Sequence, residues 1–521
     1  MTVLTALARV AAVNSGHATP TKTVRHVHLG PRPLALVAAQ LAGEACAPLA
    51  VMVGDDRDAP RLLVVYEPRD RSQRFAFAAD LADIVLKAIE SYVDDDGTAE
   101  RSEPYPDAPQ LIVPNQPTAS FIRLLGRSTR FRRTEGEYAV PASVPVLGRW
   151  LTYFSERGEV SPATQLLALT TVLGDHWATG QSATEDANLG ALLAWIDPPD
   201  GATGRGAARA AEDPARCPPA GPVTDPGFDN DVLAPRLAAA HHAATAEDPA
   251  QLRLAQAELE AALRSQLEPT WRLMWRAIDL LRALPAAAHV EQRWQSDRWS
   301  FTNQVAWIRG GGAPQARRDS AVAAAKRLAR LEREQQKLAV ERAYDDPLVM
   351  AEYRMTGEAF AGDVVAADPT RLDQTGKRPV LRPWITVATA DEVLAEVGAV
   401  LKSPLRPGQD ATVKDIVRAT GEKGDNGTVE VTLELKGGMG RPLTPPPGSV
   451  PAVGDNVTYT SLRDEFQHPP KFPEPQDTPW THGGPPPEYV PNDEDAAEAW
   501  SPEPWPAGAL TPEAGAPEAG A

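Results

Sequence analysis

Cysteine is scarce in this chain, since Cys46 and Cys217 are the only two thiols among 521 residues. They lie far apart in unlike surroundings, so neither a disulfide framework nor a thiolate metal site is predicted. Long apolar runs are also missing, and no stretch approaches the roughly 20 consecutive apolar residues that a membrane-spanning helix needs. The apolar run at residues 1–13 is short and contains Arg9, which does not fit a signal peptide. We therefore expect a cytoplasmic protein without membrane contact.

A phosphate-binding loop is missing as well. Gly376-Lys377 lacks the upstream glycine and the following Ser or Thr of such a loop, and the glycines at 437–440 lead into Arg-Pro and not into a helix. Nucleotide enzymes need backbone amides at a helix N-terminus and a lysine that reaches the phosphates. Both glycine segments are typical of turns. The sequence predicts no cofactor and favours a protein that is not an enzyme.

Positive charge is in deficit overall, because the formal net charge is −18. Residues 467–521 hold ten acidic side chains and a single basic one, Lys471, so this segment accounts for half of the excess. The rest of the chain is closer to neutral, which leaves room for local basic patches. The same segment is rich in proline and has no apolar periodicity, so we expect it to be disordered. The abundance of Ala, Arg, Gly and Pro favours a bacterial origin with a high-GC genome.

The pattern along the chain predicts an α+β, multidomain protein. Prolines, glycines and changes in periodicity set the boundaries. The predicted segments are a mixed α/β unit at 1–108, a mainly helical unit at 109–196, a linker at 197–231, a helical hairpin or stalk region at 232–375, a small β-barrel at 376–465 and a disordered, acidic, proline-rich tail at 466–521.

Local periodicity predicts the main elements of the N-terminal half. Residues 24–29 alternate as a strand does, 34–45 have a helical pattern, and 49–53 and 62–66 are typical of buried strands. Three more segments carry apolar residues at helical spacing. They are residues 79–92, 143–156 and 162–176.

Helical signals continue in the central segment. Asp248-Pro249 is a helix start with a capping residue and proline at the first position, and Pro269 is expected to separate two helical segments. After the glycines at 310–312, a short coiled-coil pattern follows. Its a and d positions are Ala321, Ala324, Leu328, Leu331, Gln335 and Leu338. These features predict a helical hairpin that forms a stalk.

The character of the chain becomes β between residues 378 and 462. Strands are predicted at 384–388, 411–417, 428–435 and 456–459, separated by Gly, Pro and Asp turns. Val429, Val431, Leu433 and Leu435 alternate with polar residues, as in a half-buried strand of a small barrel.

Two histidine-containing patterns are candidates for chemistry. His26 and His28 are two apart on a predicted strand and would face the same side, a spacing that two metal ligands can have. No third ligand follows nearby, so no metal is predicted and a surface or pocket pair is favoured. Asp175-His176 has the composition of an orienting acid and a base, but no nucleophile motif accompanies it.

A Mg²⁺-dependent nuclease is the enzymatic alternative. Asp55, Asp56 and Glu67-Pro68-Arg69 follow two neighbouring predicted strands, where restriction-type nucleases place acidic residues to hold Mg²⁺ and a water. Arg69 occupies the position of the usual lysine and would hardly release a proton, so such a site would be degenerate. Asp55 and Asp56 are equally typical of turn residues.

Two basic patches favour nucleic-acid binding. The first follows the Phe121 helix and the second lies near the coiled-coil pattern, where Arg-Trp pairs alternate aromatic and basic side chains as single-strand binding requires. The first patch comprises Arg123, Arg127, Arg130, Arg132 and Arg133. The candidates in the second are Arg293, Trp294, Arg298, Trp299, Arg309, Arg317, Arg318, Lys326, Arg327 and Arg330. The alternative is that the tryptophans pack a core and the charges are simply solvated.

The predicted stalk and barrel, with the segment Gly454-Asp455-Asn456-Val457 near its end, resemble the accessory stalk and β-barrel of superfamily 1 helicases of the nonsense-decay type. The resemblance covers residues 314–462, and nothing in the chain resembles the helicase motor. In that family the barrel rests over the bound strand. The resemblance implies an accessory subunit that acts beside a separate helicase-type partner.

We therefore expect a non-enzymatic adaptor or accessory protein that binds single-stranded nucleic acid. The degenerate nuclease and a scaffold that binds only proteins are the alternatives.

Overall fold

The computed structural model describes residues 2–44, 46–93, 102–376, 378–418, 427–440, 443–463 and 470–473. The predicted disordered tail lies outside these residues, apart from its short stretch at 470–473. Across the described ranges, no helix has the length and apolar character needed to cross a membrane.

The helices are α1 (Val3–Ser15), α2 (Arg71–Glu90), α3 (Gln116–Thr129), α4 (Ser143–Gly158), α5 (Leu169–His176), α6 (Ala183–Asp186), α7 (Leu189–Ile196), α8 (Gly204–Ala211), α9 (Pro226–Phe228), α10 (Ala234–Thr245), α11 (Pro249–Ala283), α12 (Val290–Arg309), α13 (Ala321–Asp345) and α14 (Pro347–Met355), with a π-helical turn at Asp229–Leu233. The strands are β1 (Thr19–Pro20), β2 (Leu34–Gln40), β3 (Pro48–Gly54), β4 (Arg61–Val64), β5 (Leu111–Val113), β6 (Leu166–Ala168), β7 (Trp177–Ala178), β8 (Ala359–Asp368), β9 (Leu372–Asp373), β10 (Val380–Leu381), β11 (Trp384–Thr389), β12 (Val400–Ser403), β13 (Arg406–Arg418), β14 (Val429–Lys436) and β15 (Asn456–Thr460). The fold is thus mixed α and β, as predicted.

A five-stranded sheet organises the N-terminal half, with the strand order β4-β3-β2-β5-β6. Strands β2, β3 and β4 form an antiparallel meander, and β5 and β6 run parallel to β2. The predicted strands at 49–53 and 62–66 correspond to β3 and β4. The predicted strand at 24–29 is wrong, because this segment forms only one isolated bridge, between Arg25 and Ala286.

The predicted helix at 34–45 is also wrong, because its first seven residues form β2 at the centre of the sheet. Leu34, Leu36 and Ala38 face one apolar core, whereas Ala35, Val37 and Ala39 face the other. A strand that is buried on both faces has a continuous apolar sequence without alternation. The helix predicted at 162–176 is wrong in its first half, since β6 occupies 166–168 and α5 begins only at Leu169.

Helices cover both faces of this sheet. One core contains side chains of α2, α3, α4 and α12, including the buried Trp294 and Phe301. The opposite core contains side chains of α5, α7 and α11, including Trp271. Residues from the predicted segments 1–108, 109–196 and 232–375 therefore contribute to the same two cores.

The long central helices differ from the predicted stalk in two details. Asp248 caps α11 as predicted, but the helix continues through Pro269 to Ala283 without a break. The start of α12 lies beside the end of α13, where Arg293 pairs with Glu341. On the predicted coiled-coil face of α13, Leu328 is 57% exposed.

The C-terminal half of the described chain contains a closed barrel with the strand order β11-β14-β13-β12-β15-β8. The four strands predicted in this region correspond to β11, β13, β14 and β15. Val429, Val431, Leu433 and Leu435 point inward, which confirms the predicted alternation. The two barrel strands β8 and β12 were not predicted.

Two glycines bring α3 and α4 into close contact. A Cβ atom on Gly126 would lie 2.8 Å from the amide nitrogen of Thr152, and one on Gly148 would lie 2.3 Å from the amide nitrogen of Arg130. Both glycines are therefore required by the proximity of the neighbouring backbone. This packing fixes the C-terminal end of α3, from which Arg130 projects.

We expect Gly148→Ala to lower the stability of the protein. The added methyl group must displace backbone at the end of α3, and overpacking of this kind costs about 1–3 kcal/mol. Gly174→Ala in α5 is the matched control, because its Cβ would meet nothing within 4 Å. Urea denaturation should give a lower midpoint for Gly148→Ala than for the control, and equal midpoints would contradict the close packing of α3 on α4.

Candidate nucleic-acid interface

The tryptophans and arginines at the start of α12 face the interior. Trp294 is buried, stacks on His28 with ring centroids 4.0 Å apart, and donates its indole N–H to Asp107. The Arg293 Nη1 lies 2.6 Å from the Glu341 carboxylate, and both side chains are buried. These groups stabilise the packing of α12 and cannot contact a strand in this conformation.

The remaining candidates of the second patch are dispersed. Arg298 donates to the carbonyl of Pro106, and Trp299 beside it is half-buried. Arg309 lies 3.3 Å from Glu90, and Arg327 pairs with Glu159 and Asp319. The exposed members of the set are Arg309, Arg317, Arg318, Lys326 and Arg330.

The acidic residues of the nuclease hypothesis lie at opposite ends of an antiparallel strand pair. Asp55 and Asp56 are in the turn between β3 and β4, where Asp56 accepts a hydrogen bond from the amide of Asp58. Glu67 follows β4 and lies 3.5 Å from the imidazole of His241. The fold does not bring these three carboxylates together.

The two histidines of the predicted pair also have separate surroundings. The Nε2 of His26 lies 3.5 Å from Asp346 in the interior, whereas His28 stacks on Trp294. Burial lowers the pKa of His28 to about 4, so its imidazole is neutral at physiological pH. Among the described residues, no group of three or more His, Cys, Asp or Glu side chains is arranged to hold a metal.

The first basic patch has a different arrangement, because all of its arginines except the buried Arg130 reach the surface, in a region that also contains aromatic rings. It is joined there by residues from the start of α2, from the loop between α3 and α4, and from the segment that precedes α13. We call Arg71, Phe75, Arg127, Phe131, Arg132, Tyr138 and Arg317 the arginine–aromatic surface.

Guanidinium groups stack on three rings of this surface. Arg71 lies 4.8 Å from the ring centroid of Phe75 and 5.4 Å from that of Tyr138. Arg132 lies 5.1 Å from the centroid of the same Phe75 ring. Arg317 lies 4.6 Å from the Phe131 ring. Tyr138 is 65% exposed, so much of its ring is accessible to a ligand.

Arg130 is buried next to this surface, with its guanidinium group 4.9 Å from the Phe131 ring centroid. Its side chain is buried and donates hydrogen bonds to the carbonyls of Gln315 and Ala316, at 2.9 and 3.0 Å. These bonds hold the segment before α13 against the end of α3. Arg317 consequently comes to lie over Phe131, although the two residues are far apart in sequence.

The cations of the surface are close enough to repel one another. The pKa of Arg132 is below its ordinary value, first because of burial and then because of the charges of Arg71 and Arg317. The pKa of Arg130 is lowered by burial and by Arg127 and Arg317. The loop that carries Tyr138 also contains Glu135 and Glu137, which reduce the local positive charge.

Few neighbouring carboxylates neutralise the outer arginines. In the part of the chain that the structure describes, Arg71, Arg127 and Arg317 form no ion pair with a carboxylate. Many other arginines do, among them Arg57, Arg157 and Arg354. An anionic ligand can therefore bind to these three arginines without displacing a carboxylate partner.

Sequence reasoning identified part of this surface and missed the rest. Arg127 and Arg132 belong to the first basic patch and Arg317 to the second, but Arg71, Phe75 and Tyr138 were not among the candidates. The one local signal was the alternation of Phe131 with arginines. The proximity of these residues to Arg71 depends on tertiary packing, which the spacing of residues in the sequence does not indicate.

Comparison of the chain with protein families, with curated proteins and with solved structures found no match.

Proposed function

We propose that this protein is a non-enzymatic accessory protein that binds single-stranded nucleic acid on the arginine–aromatic surface. The observation that carries the proposal is that Arg71, Arg127 and Arg317, which form no ion pair among the described residues, share this surface with the exposed ring of Tyr138. Guanidinium groups bind phosphates, and aromatic rings stack on unpaired bases. The combination favours a single strand over a duplex, whose bases are already stacked on one another.

We expect a bound strand to lie along this surface. Arg71 and Tyr138 form one end of the surface, and Phe131 with Arg317 forms the other. Base stacking on rings is tolerant of sequence, so we expect binding with little sequence preference. A helicase-type partner, inferred from the resemblance of residues 314–462, remains a prediction.

A fluorescence-anisotropy titration of labelled single-stranded DNA and RNA with the full chain tests the proposal. Because phosphate contacts release counterions, binding should weaken steeply between about 50 mM and about 200 mM salt. An unlabelled duplex should compete poorly. If no binding occurs at the lower salt concentration, the proposal fails and a scaffold that binds only proteins becomes the better hypothesis.

Tyr138→Ala should weaken binding without changing its salt dependence. The substitution removes a stacking platform, worth about 1–3 kcal/mol per base, but removes no charge. Tyr138→Phe is the control, since it keeps the ring, and it should bind as the unaltered protein does. Titrations at several salt concentrations measure both quantities. Equal affinities for Tyr138→Ala and Tyr138→Phe would show that no base stacks on this ring.

A further inference from the structure

A second feature lies away from the arginine–aromatic surface, where the N-terminal helix meets the helices that lead into the barrel. Side chains from α1, α5, α13 and α14 and from the segment after β1 enclose a pocket of about 330 Å³ that is open to solvent. Its volume is within the range of small-molecule sites. The charged groups that line it are Arg9, Lys22, Asp175, Asp186, Arg342 and Glu352.

Lys22 is the unusual member of this lining. Its side chain is only 8% exposed, yet among the described residues it has no hydrogen-bond or ion-pair partner. The other two cations are paired, since Arg342 lies 2.6 Å from Asp175 and Arg9 lies 3.9 Å from Asp186. The ammonium group of Lys22 is thus a donor without a protein partner that remains accessible from the pocket, where a bound molecule can accept its hydrogen bonds.

Partial burial of an ammonium group that has no protein partner is unfavourable. Its effect is visible in the pKa of Lys22, which burial lowers, with Arg342 acting in the same direction and Asp175 in the opposite one. A purely structural position would be better filled by an apolar side chain of the same length. A ligand that accepts a hydrogen bond from the Lys22 ammonium group would offset this unfavourable free energy.

Other groups of the pocket define the chemistry of that ligand. The hydroxyl of Tyr353 also lines it and has no hydrogen-bond partner among the described residues, so it is a second free donor. Glu352 accepts a hydrogen bond from the Thr2 hydroxyl at 2.8 Å and forms no ion pair within the described part of the chain. The pocket therefore offers two donors for an oxyanion and one carboxylate for an amine or a hydroxyl group.

We propose that this pocket binds a small molecule through a carboxylate or phosphate group that Lys22 and Tyr353 hold. Glu352 favours acids that also carry an amine or a hydroxyl group. The site is independent of the proposed nucleic-acid interface, and its ligand would contact both α1 and α14.

Isothermal titration of the full chain with glycine, succinate, acetate and inorganic phosphate tests this proposal, with sodium chloride at matched ionic strength as the reference. At least one probe should bind saturably, and the probe that binds distinguishes a carboxylate site from a phosphate site. Lys22→Met should weaken that binding about tenfold or more, because it removes a charge-assisted hydrogen bond. Lys326→Met, on the exposed side of α13, should leave it unchanged.

Thermal unfolding gives a second readout that separates binding from misfolding. Without a probe, Lys22→Met should have the same or a higher Tm than the unaltered chain, because methionine removes the buried charge. The bound probe should raise the Tm of the unaltered chain and not that of Lys22→Met. The proposal is overturned if none of the probes binds, if Lys22→Met binds as tightly as the unaltered chain, or if Lys22→Met is markedly less stable.

Discussion

Replacement of Arg71, Arg127 and Arg317 together by alanine is expected to weaken single-strand binding roughly a hundredfold at low salt. The estimate assumes that each guanidinium contact contributes about 1 kcal/mol, and every 1.4 kcal/mol corresponds to about a factor of ten in affinity. None of the three arginines has a carboxylate partner among the described residues, so their removal leaves no buried charge unpaired. The fold should therefore be retained.

The salt dependence of this triple variant is the more specific measurement. Each lost phosphate contact should reduce the slope of log Kobs against log salt by about 0.7 for a single strand, so the triple variant should lose roughly 2. The matched control replaces Arg253, Arg264 and Arg272 on the exposed side of α11, which changes the net charge equally. If the control variant loses as much affinity as the triple variant, the binding depends on net charge and not on the arginine–aromatic surface.

Glu341→Ala is expected to have the largest effect on stability, a loss of about 3–5 kcal/mol. The side chains of Glu341 and Arg293 are 2% and 5% exposed, and their charged groups are 2.6 Å apart. Truncation of the glutamate would leave the Arg293 guanidinium buried, with the carbonyl of His26 as its remaining acceptor. Chemical denaturation followed by tryptophan fluorescence should show unfolding at a lower denaturant concentration.

The double variant Arg293→Met with Glu341→Leu separates two roles of Arg293. Replacement of both members of a buried ion pair by apolar side chains of similar size is often nearly neutral, so stability should largely recover. If Arg293 acts only inside the fold, this variant should bind a single strand as the unaltered chain does. A stable double variant that no longer binds would instead support Arg293 as a contact residue, as the sequence pattern suggested.

The fold was predictable where the amino-acid pattern has one interpretation. β14 was identified because its inward and outward residues differ in polarity, from Val429 to Leu435. β2 was not, because Leu36 and Val37 are neighbours in sequence and both are buried, each in a different core. A strand that is apolar on both faces cannot be distinguished from a buried helix by periodicity alone.

The candidate site was only partly predictable, because its contacts join residues that are distant in sequence. Trp294 and Arg293 had the composition of a binding motif, but their partners His28 and Glu341 are distant in sequence and place both side chains in the interior. Arg71 and Tyr138 had no local signal, yet the packing of α2 beside the α3–α4 loop brings their side chains together. Which arginines are exposed is decided by the fold and not by spacing.

The most direct test of the central claim is ultraviolet cross-linking of single-stranded nucleic acid to the full chain, followed by mass spectrometry of the cross-linked peptides. The predicted result is cross-linking to peptides that contain Phe75, Phe131 or Tyr138, because these rings would contact bases. Cross-links confined to the barrel or to the exposed end of α12 around Trp307, with none on these three rings, would contradict the proposed interface.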